Sequence, residues 1–303
     1  MAKIFVLGDF NIDLVLYLDR LPKAGETLNA NRFFEGPGGK GSNQAIAAAR
    51  LGADVTFFGA IGKDHYGAAA IRAWQDNNVN TDYVQQQSDY QTAMALINVD
   101  THGNNTITVH QGANLSLTTD HVQTVAAIIS DADIVMSTLG VDATIVQEVF
   151  EIAKAANCTT ILNPAPATPL SPALLNSADY ITPNETELDI LLPDNKPAAD
   201  TIQAARGLLV RDDQIIVETR GADGARWITQ DDSKQIATFD VEVVDTVGAG
   251  DAFNAALAVA LSERKQLNDA IRFANAAAAL SVQKIGAVDG MPMRDDVLKF
   301  LAQ

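Results

Sequence analysis

From about residue 120 onward the chain repeats one pattern, a helical stretch followed by a short apolar run, and this limits the fold more than any other feature. Helical stretches at 119–129, 143–156, 172–176, 184–192 and 198–211 alternate with apolar runs at 133–136, 160–162, 180–182 and 214–218. Runs this short and continuously apolar suit strands buried on both faces. Their alternation with helices predicts a parallel sheet covered by helices on both sides. Lys3 to Gly8 and Val55 to Gly59 read as two further buried strands, with helices at 45–51 and 68–77. Residues 225–228 and 236–244 alternate as antiparallel strands, and helices at 267–284 and 294–302 close the fold.

Two other regions do not fit this pattern. Leu14 to Phe34 has no helical period, and Thr92–Val99 and Thr106–His110 alternate around a turn at 100–105. Alternation implies one wet face, so these segments predict a small second sheet apart from the main one. The chain therefore reads as one α/β domain over 1–303, with a small sheet from about 11–36 and 90–112 inserted in it. His102 and His110 stand alone, without metal-ligand spacing.

The net charge of −17 argues against nucleic-acid partners and anionic membrane surfaces, both of which need a basic face. The single cysteine, Cys158, excludes an internal disulfide. No signal-like segment or run of 18 apolar residues occurs, so a soluble cytoplasmic protein is expected. An acidic chain that takes an anionic ligand must make its positive potential locally, from backbone N–H groups and metal ions.

Asp245-Thr246-Val247-Gly248-Ala249-Gly250-Asp251 has that character. Glycines around a small Ala249 permit a tight turn, and the apolar stretch Ala252–Leu261 behind it reads as a buried helix. Free N–H groups at a helix start form an anion site fit for a phosphoryl group. Asp251 in the first turn is placed to take a proton from an attacking hydroxyl, and the helix N-terminus is expected to depress its pKa. The plain alternative is an N-cap after an ordinary turn. Near the N-terminus, Asp9, Asn11 and Asp13 share one face if the segment stays extended. Gly36-Pro37-Gly38-Gly39-Lys40-Gly41-Ser42-Asn43-Gln44 carries four glycines in six residues, with donors on Lys40 and Asn43. It lacks P-loop spacing, and no Gly-x-Gly-x-x-Gly follows the first strand, which disfavours a dinucleotide oxidoreductase. Pro183-Asn184-Glu185-Thr186-Glu187 reads equally as a capping box and as a holder of hydrated magnesium. Thr219-Arg220-Gly221-Ala222-Asp223-Gly224 follows a strand and suits a nucleotide. Gly286 and Gly290 read as a loop whose carbonyls face Asp245.

Asn11-x-Asp13, Gly38-Gly39-Lys40-Gly41-x-Asn43-Gln44-Ala45, Asn163-Pro164-Ala165-Pro166-Ala167, Pro183-Asn184-Glu185-Thr186-Glu187 and Asp245-Thr246-x-Gly248-Ala249-Gly250-Asp251 occur in this order. With them the chain resembles the ribokinase (PfkB-type) family of carbohydrate kinases over essentially its full length. The resemblance implies a Rossmann-like, mostly parallel sheet with helices on both faces, a small β lid, and a homodimer through the lids. It implies transfer of the ATP γ-phosphoryl group to a sugar hydroxymethyl, O5 for ribose. Asp251 would be the base, and Gly248, Ala249 and Gly250 the anion hole. Asn11, Asp13, Gly39, Lys40 and Asn43 would bind the sugar. Asn184, Thr219, Arg220, Gly221, Ala222, Asp223, Gly224, Gly250 and Asn275 would lie along the nucleotide. Glu187 would stand near Mg2+, through water. A K+ loop would map to Asp245, Val247, Ser281, Lys284, Gly286 and Gly290.

In one respect the sequence departs from the family. Ribokinases usually carry a sugar-facing Glu after the strand at 134–136, and Leu139 falls there. Losing a hydroxyl acceptor alters discrimination in a polar sugar site. Ribose leads, while deoxyribose, another small sugar or a nucleoside stays open. A sugar-sensing regulator without chemistry is the non-enzymatic alternative.

Overall fold

The computed structural model describes residues 1–192 and 201–303. Its centre is a nine-stranded sheet. Across it run Ser233–Ile236, Ala225–Ile228, Ile215–Thr219, Tyr180–Ile181, Thr159–Asn163, Ile134–Thr138, Lys3–Leu7, Asp54–Phe58 and Val79–Asn80. The first two are antiparallel additions at one edge, and every other neighbouring pair is parallel. Strand alternation divides the interior in two. Ile4 and Val6 enter one core with the helices Lys40–Arg50, Ala249–Ser262 and Leu267–Ser281, while Phe5 and Leu7 enter the other with Thr119–Ser130 and Ala143–Ala155. Both faces of the parallel sheet are covered, as its continuously apolar strands require.

A separate four-stranded sheet is ordered Arg32–Gly38, Asn11–Tyr17, Met94–Val99, Asn105–His110. Its register places Leu16 opposite Phe33 and Leu14 opposite Leu96, so these four apolar side chains share a face. Phe33 and Leu96 are exposed and Leu14 and Leu16 are half-buried. Asp13 lies on the opposite face. The chain crosses between the two sheets in three residues, Gly8 to Phe10. There Asn114 holds both sides of the Phe10 peptide: the Phe10 N–H donates to Asn114 Oδ1 (3.2 Å) and Asn114 Nδ2 donates to the Phe10 carbonyl (3.0 Å).

Several expected boundaries move. The helix expected from residue 45 begins at Lys40, because the glycine-rich segment supplies its first turn. The helix expected at 198–211 covers Thr201–Arg206 among the described residues, its first expected residues lying outside them. The strand expected at 236–244 is instead Ser233–Ile236. Beyond it the carbonyls of Ile236 and Ala237 are held by Asn275 Nδ2, and Val244 N–H donates to the Val282 carbonyl, so the segment leaves the sheet. Residues 287–290 form a short helix rather than a loop, and the helix expected to reach 284 ends at Ser281.

Candidate active site

The candidate residues lie around the carboxyl ends of the parallel strands, where open α/β sheets present ligand sites. Gly248 takes a left-handed φ of 81° and turns the chain into the helix Ala249–Ser262. Ala249 N–H bonds the Thr246 carbonyl and Ala252 N–H the Gly248 carbonyl, whereas the N–H groups of Gly250 and Asp251 have no acceptor among the described residues. A turn with two N–H groups free to meet an acceptor thus lies beside a carboxylate.

Asp251 is 6% exposed. Its Oδ2 accepts from Asn43 Nδ2 at 2.9 Å and its Oδ1 from Gln44 Nε2 at 3.1 Å, both from the first turn of Lys40–Arg50. Burial pushes its carboxyl up, against the pull of Lys40 and the two amide donors. The expected depression is not what results: desolvation outweighs Lys40 and the two amide donors. Asn43 Oδ1 and Gln44 Oε1 are buried without a partner.

Asn11 and Asp13 stand on one face of Asn11–Tyr17, with Asn11 Nδ2 donating to Asp13 Oδ1 at 2.6 Å. Burial raises the Asp13 carboxyl to about 6, despite that bond. Lys40 acts electrostatically on Asp13, Asp251 and Glu187 together, which places one ammonium among three carboxylates. Gly39 has φ 92°, and a side chain there would meet the Asp9 carbonyl and Phe10 Cα, each 2.7 Å away. Gly41 packs directly on Gly8, and a Cβ on either would overlap the other's backbone.

Asp9 does not join Asn11 and Asp13 on their strand. Its carboxylate accepts from the Lys40 and Gly41 N–H groups (3.2 and 2.9 Å) and from Thr138 Oγ1 (3.1 Å), so it caps the helix that carries Asn43. Leu139 is buried in the second core and donates its N–H to the Ala165 carbonyl.

Asn184 and Glu187 form the capping box: Asn184 Oδ1 accepts from Glu187 N–H (2.8 Å) and Glu187 Oε2 from Asn184 N–H (2.9 Å). Burial raises the Glu187 carboxyl, and the nearby Asp251 adds to the rise. Asn184 also bridges Thr219, which begins the turn Arg220–Gly224. Arg220 pairs with Glu185 at 3.1 Å. Gly221, Ala222 and Asp223 are exposed. Gly224 packs against 236–238, the segment that Asn275 holds.

Asp245 Oδ1 accepts from Val247 N–H (3.0 Å) and Oδ2 from Gly286 N–H (2.9 Å). The contact between the two loops is thus carboxylate to N–H, where carbonyls of 286–290 facing Asp245 were expected. Gly290 sits close to the Ser281 carbonyl, and Lys284 is exposed. Among the described residues no group of three or more His, Cys, Asp or Glu is arranged to hold a metal. No helix among them is long and apolar enough to cross a membrane.

Asp9, Gln44 and Asn254 carry roles that sequence reasoning passed over. A signal exists for the last of them: Asn254 is an amide inside an otherwise small or apolar helical run, Ala252–Leu261. Nothing in the spacing marks Asp9 as a cap for a helix 31 residues away.

Comparison with known proteins matches residues 1–294 to the pfkB family of carbohydrate kinases. The chain is 41% identical over 302 residues to the ribokinase of Bacillus subtilis (strain 168), covering 100% of both. It is 34% identical to the deoxyribokinase of Salmonella typhi, covering 99% of this chain and 98% of that one. The structure of Arabidopsis thaliana ribokinase complexed with ribose and ATP superposes with a TM-score of 0.90 at 34% identity, covering 100% of both chains.

Proposed function

The chain belongs to the pfkB family of carbohydrate kinases, and from that premise we propose that it phosphorylates D-ribose at O5 with ATP. The observation that carries this reading is the buried Asp251 carboxylate, fixed by two amides and set beside two free N–H groups at a helix start. Asp251 takes the proton of the sugar hydroxymethyl. The freed oxygen forms a bond to the γ-phosphorus as the bond from that phosphorus to the β,γ-bridging oxygen breaks, releasing ADP. Phosphoryl transfer has a loose transition state, so charge stabilisation and alignment dominate over base strength. Gly248, Ala249 and Gly250 supply the anion-holding turn. A carboxyl raised by burial is a better proton acceptor than an ordinary aspartate.

Asn11, Asp13, Gly39, Lys40 and Asn43 hold the sugar. The orphaned Asn43 Oδ1 supports this, being a buried acceptor without a donor. Asn184, the turn 219–224, Gly250 and Asn275 follow the nucleotide. Glu187 fits a hydrated Mg2+: its carboxyl is crowded by Asp251, and only one of its oxygens is used by the capping box. Bound magnesium supplies neutralisation of phosphate charge. A K+ ion is assigned to the segments 245–247 and 281–290, including Lys284 and Gly286, which Asp245 joins beside the anion turn. The small sheet acts as a lid, and its apolar face of Leu14, Leu16, Phe33 and Leu96 supports a homodimer. With a net charge of −17, the partners are a small sugar and ATP rather than nucleic acid or membrane, in a cytoplasmic setting.

Leu139 favours one second reading. Its hydrocarbon side chain, buried in the core, offers a hydroxyl no acceptor, so a sugar lacking one hydroxyl loses less here than in a site carrying Glu. A coupled ADP-release assay with ATP, magnesium and potassium across ribose, deoxyribose, fructose and nucleosides tests both. Highest kcat/KM on ribose is expected. Preference for deoxyribose would move the substrate, and silence on every sugar would overturn the kinase assignment.

A further inference from the structure

Behind the carboxylate of Asp251, four buried side chains close on one another. Gln44, fully buried, donates through its one amide nitrogen to Asp251 Oδ1 and to Asn163 Oδ1, at 3.1 Å each. Asn163 Nδ2 donates to the Thr182 carbonyl (2.9 Å). Thr182 Oγ1 donates to Asn254 Oδ1 (2.5 Å), and Asn254 Nδ2 donates to the Gly250 carbonyl (2.9 Å). The path leaves the carboxylate of Asp251 and returns to the backbone of its immediate neighbour. On the way it crosses the first turn of Lys40–Arg50, the ends of two central strands and the first turn of Ala249–Ser262.

We propose that Gln44, Asn163, Thr182 and Asn254 form a positioning ring that locks the Asp251 carboxylate and the Gly248–Gly250 turn into one geometry. The inference rests on Asp251 being the base. Apolar side chains would fill this space at no cost in unpaired polar groups, whereas an amide ring here is favourable only when each donor is met. Every donor named is met; the one polar atom left over is Gln44 Oε1. The helix behind Asp251 is apolar or small from Ala255 to Leu261, so shape alone resists its rotation weakly. The bond from Thr182 to Asn254 gives it a fixed azimuth against the sheet. Gln44 and Asn43 each occupy one carboxylate oxygen, which leaves a second lone pair on each for the sugar hydroxyl. The ring meets the site at the Asp251 carboxylate and the Gly250 carbonyl, and acts through them.

The test compares Gln44→Met, which keeps volume and loses the donors, with Thr182→Val, which loses only a hydroxyl at the far side of the ring, and Thr182→Ser, which restores it. Turnover on the best substrate is expected to fall about 100-fold in Gln44→Met and about 10-fold in Thr182→Val, with KM for sugar and ATP within about threefold, because alignment and not binding is lost. In Gln44→Met the acid limb of the kcat profile moves to higher pH, since a hydrogen bond to the ionised carboxylate is removed. Thr182→Ser is expected to behave as the parent. Folded variants with lowered melting temperature but unchanged kcat and acid limb would reduce the ring to packing and overturn the proposal. If Gln44→Met does not fold, the Thr182 pair decides. Asp251→Asn, run alongside, separates the two layers. Loss of turnover there with normal ring variants sinks the ring alone, and retained turnover there removes the premise.

Discussion

The two large sheets use strands of similar length and bury them in opposite ways. All five residues of Ile134–Thr138 are buried, and alternate residues of Lys3–Leu7 enter two different cores. All six residues of Asn105–His110 are exposed, and one face of their sheet leaves Phe33 and Leu96 open. Asp251, Asn43 and Glu187 are carried by helices packed on the first sheet. Asn11 and Asp13 are presented by the second, which has little packing of its own. Where burial is dense, the structure has one arrangement; where it is thin, mobility and association become available.

The largest expected effect lies on the rigid side. Asp251→Asn should fold as the parent does and lose about 1000-fold or more in turnover, by the usual worth of a placed base and its alignment. Near-normal kcat would show that the rigid sheet positions no essential group. Next, Leu162→Ala in the central sheet should cost about 2–5 kcal/mol in denaturant unfolding, because the site cannot collapse around the cavity. A cost below 1 kcal/mol, on the order of a surface change, would erase the contrast between the sheets.

Asp13 gives an effect readable by pH. Burial lifts its carboxyl to about 6, and accepting sugar hydroxyls needs the ionised form. Sugar KM should be flat above pH 7 and rise by up to about tenfold per unit below 6, a trend that Asp13→Asn should abolish. The linked stability has the reverse sign. The folded chain holds this proton more tightly than the unfolded one, so the group favours folding at low pH, and that contribution is lost as pH rises from about 4 to about 6. The smallest change belongs to the thin sheet. Leu96→Lys should shift unfolding free energy by no more than about 0.5 kcal/mol, yet move sedimentation from dimer toward monomer. A monomeric parent, or a variant as unstable as Leu162→Ala, would break the comparison from the other end.

The main sheet was legible because its strands are short, apolar and interrupted by helices, a signal that survives without tertiary knowledge. The small sheet was legible from alternation around 92–110. What escaped the sequence is what depends on distance. The edge strand Ser233–Ile236 ends early because Asn275, nearly 40 residues on, claims the next carbonyls. The Asp251 carboxyl is raised and not lowered because desolvation, invisible in a motif, outweighs Lys40 and the amide donors. Asp9 looked like a third ligand on a strand face and is a helix cap, because Gly8 and Gly41 bring the two backbones into contact. The capping box at Asn184 and Glu187, one of two equal readings of its segment, forms as read because it is local.

The grip of Asn114 on Phe10 has a mechanical consequence. It fixes the chain one residue before the small sheet begins, and so makes residue 10 a fulcrum. The strand Asn11–Tyr17 is a lever about 20 Å long, so a tilt of about 10° sweeps its far end by about 3–4 Å while Asn11 travels less than about 1 Å. Side chains near the pivot, Asn11 first, move little in such a swing, and the rim at Tyr17 does the travelling. Distance labels at the rim should therefore report opening that labels near residue 11 hardly register.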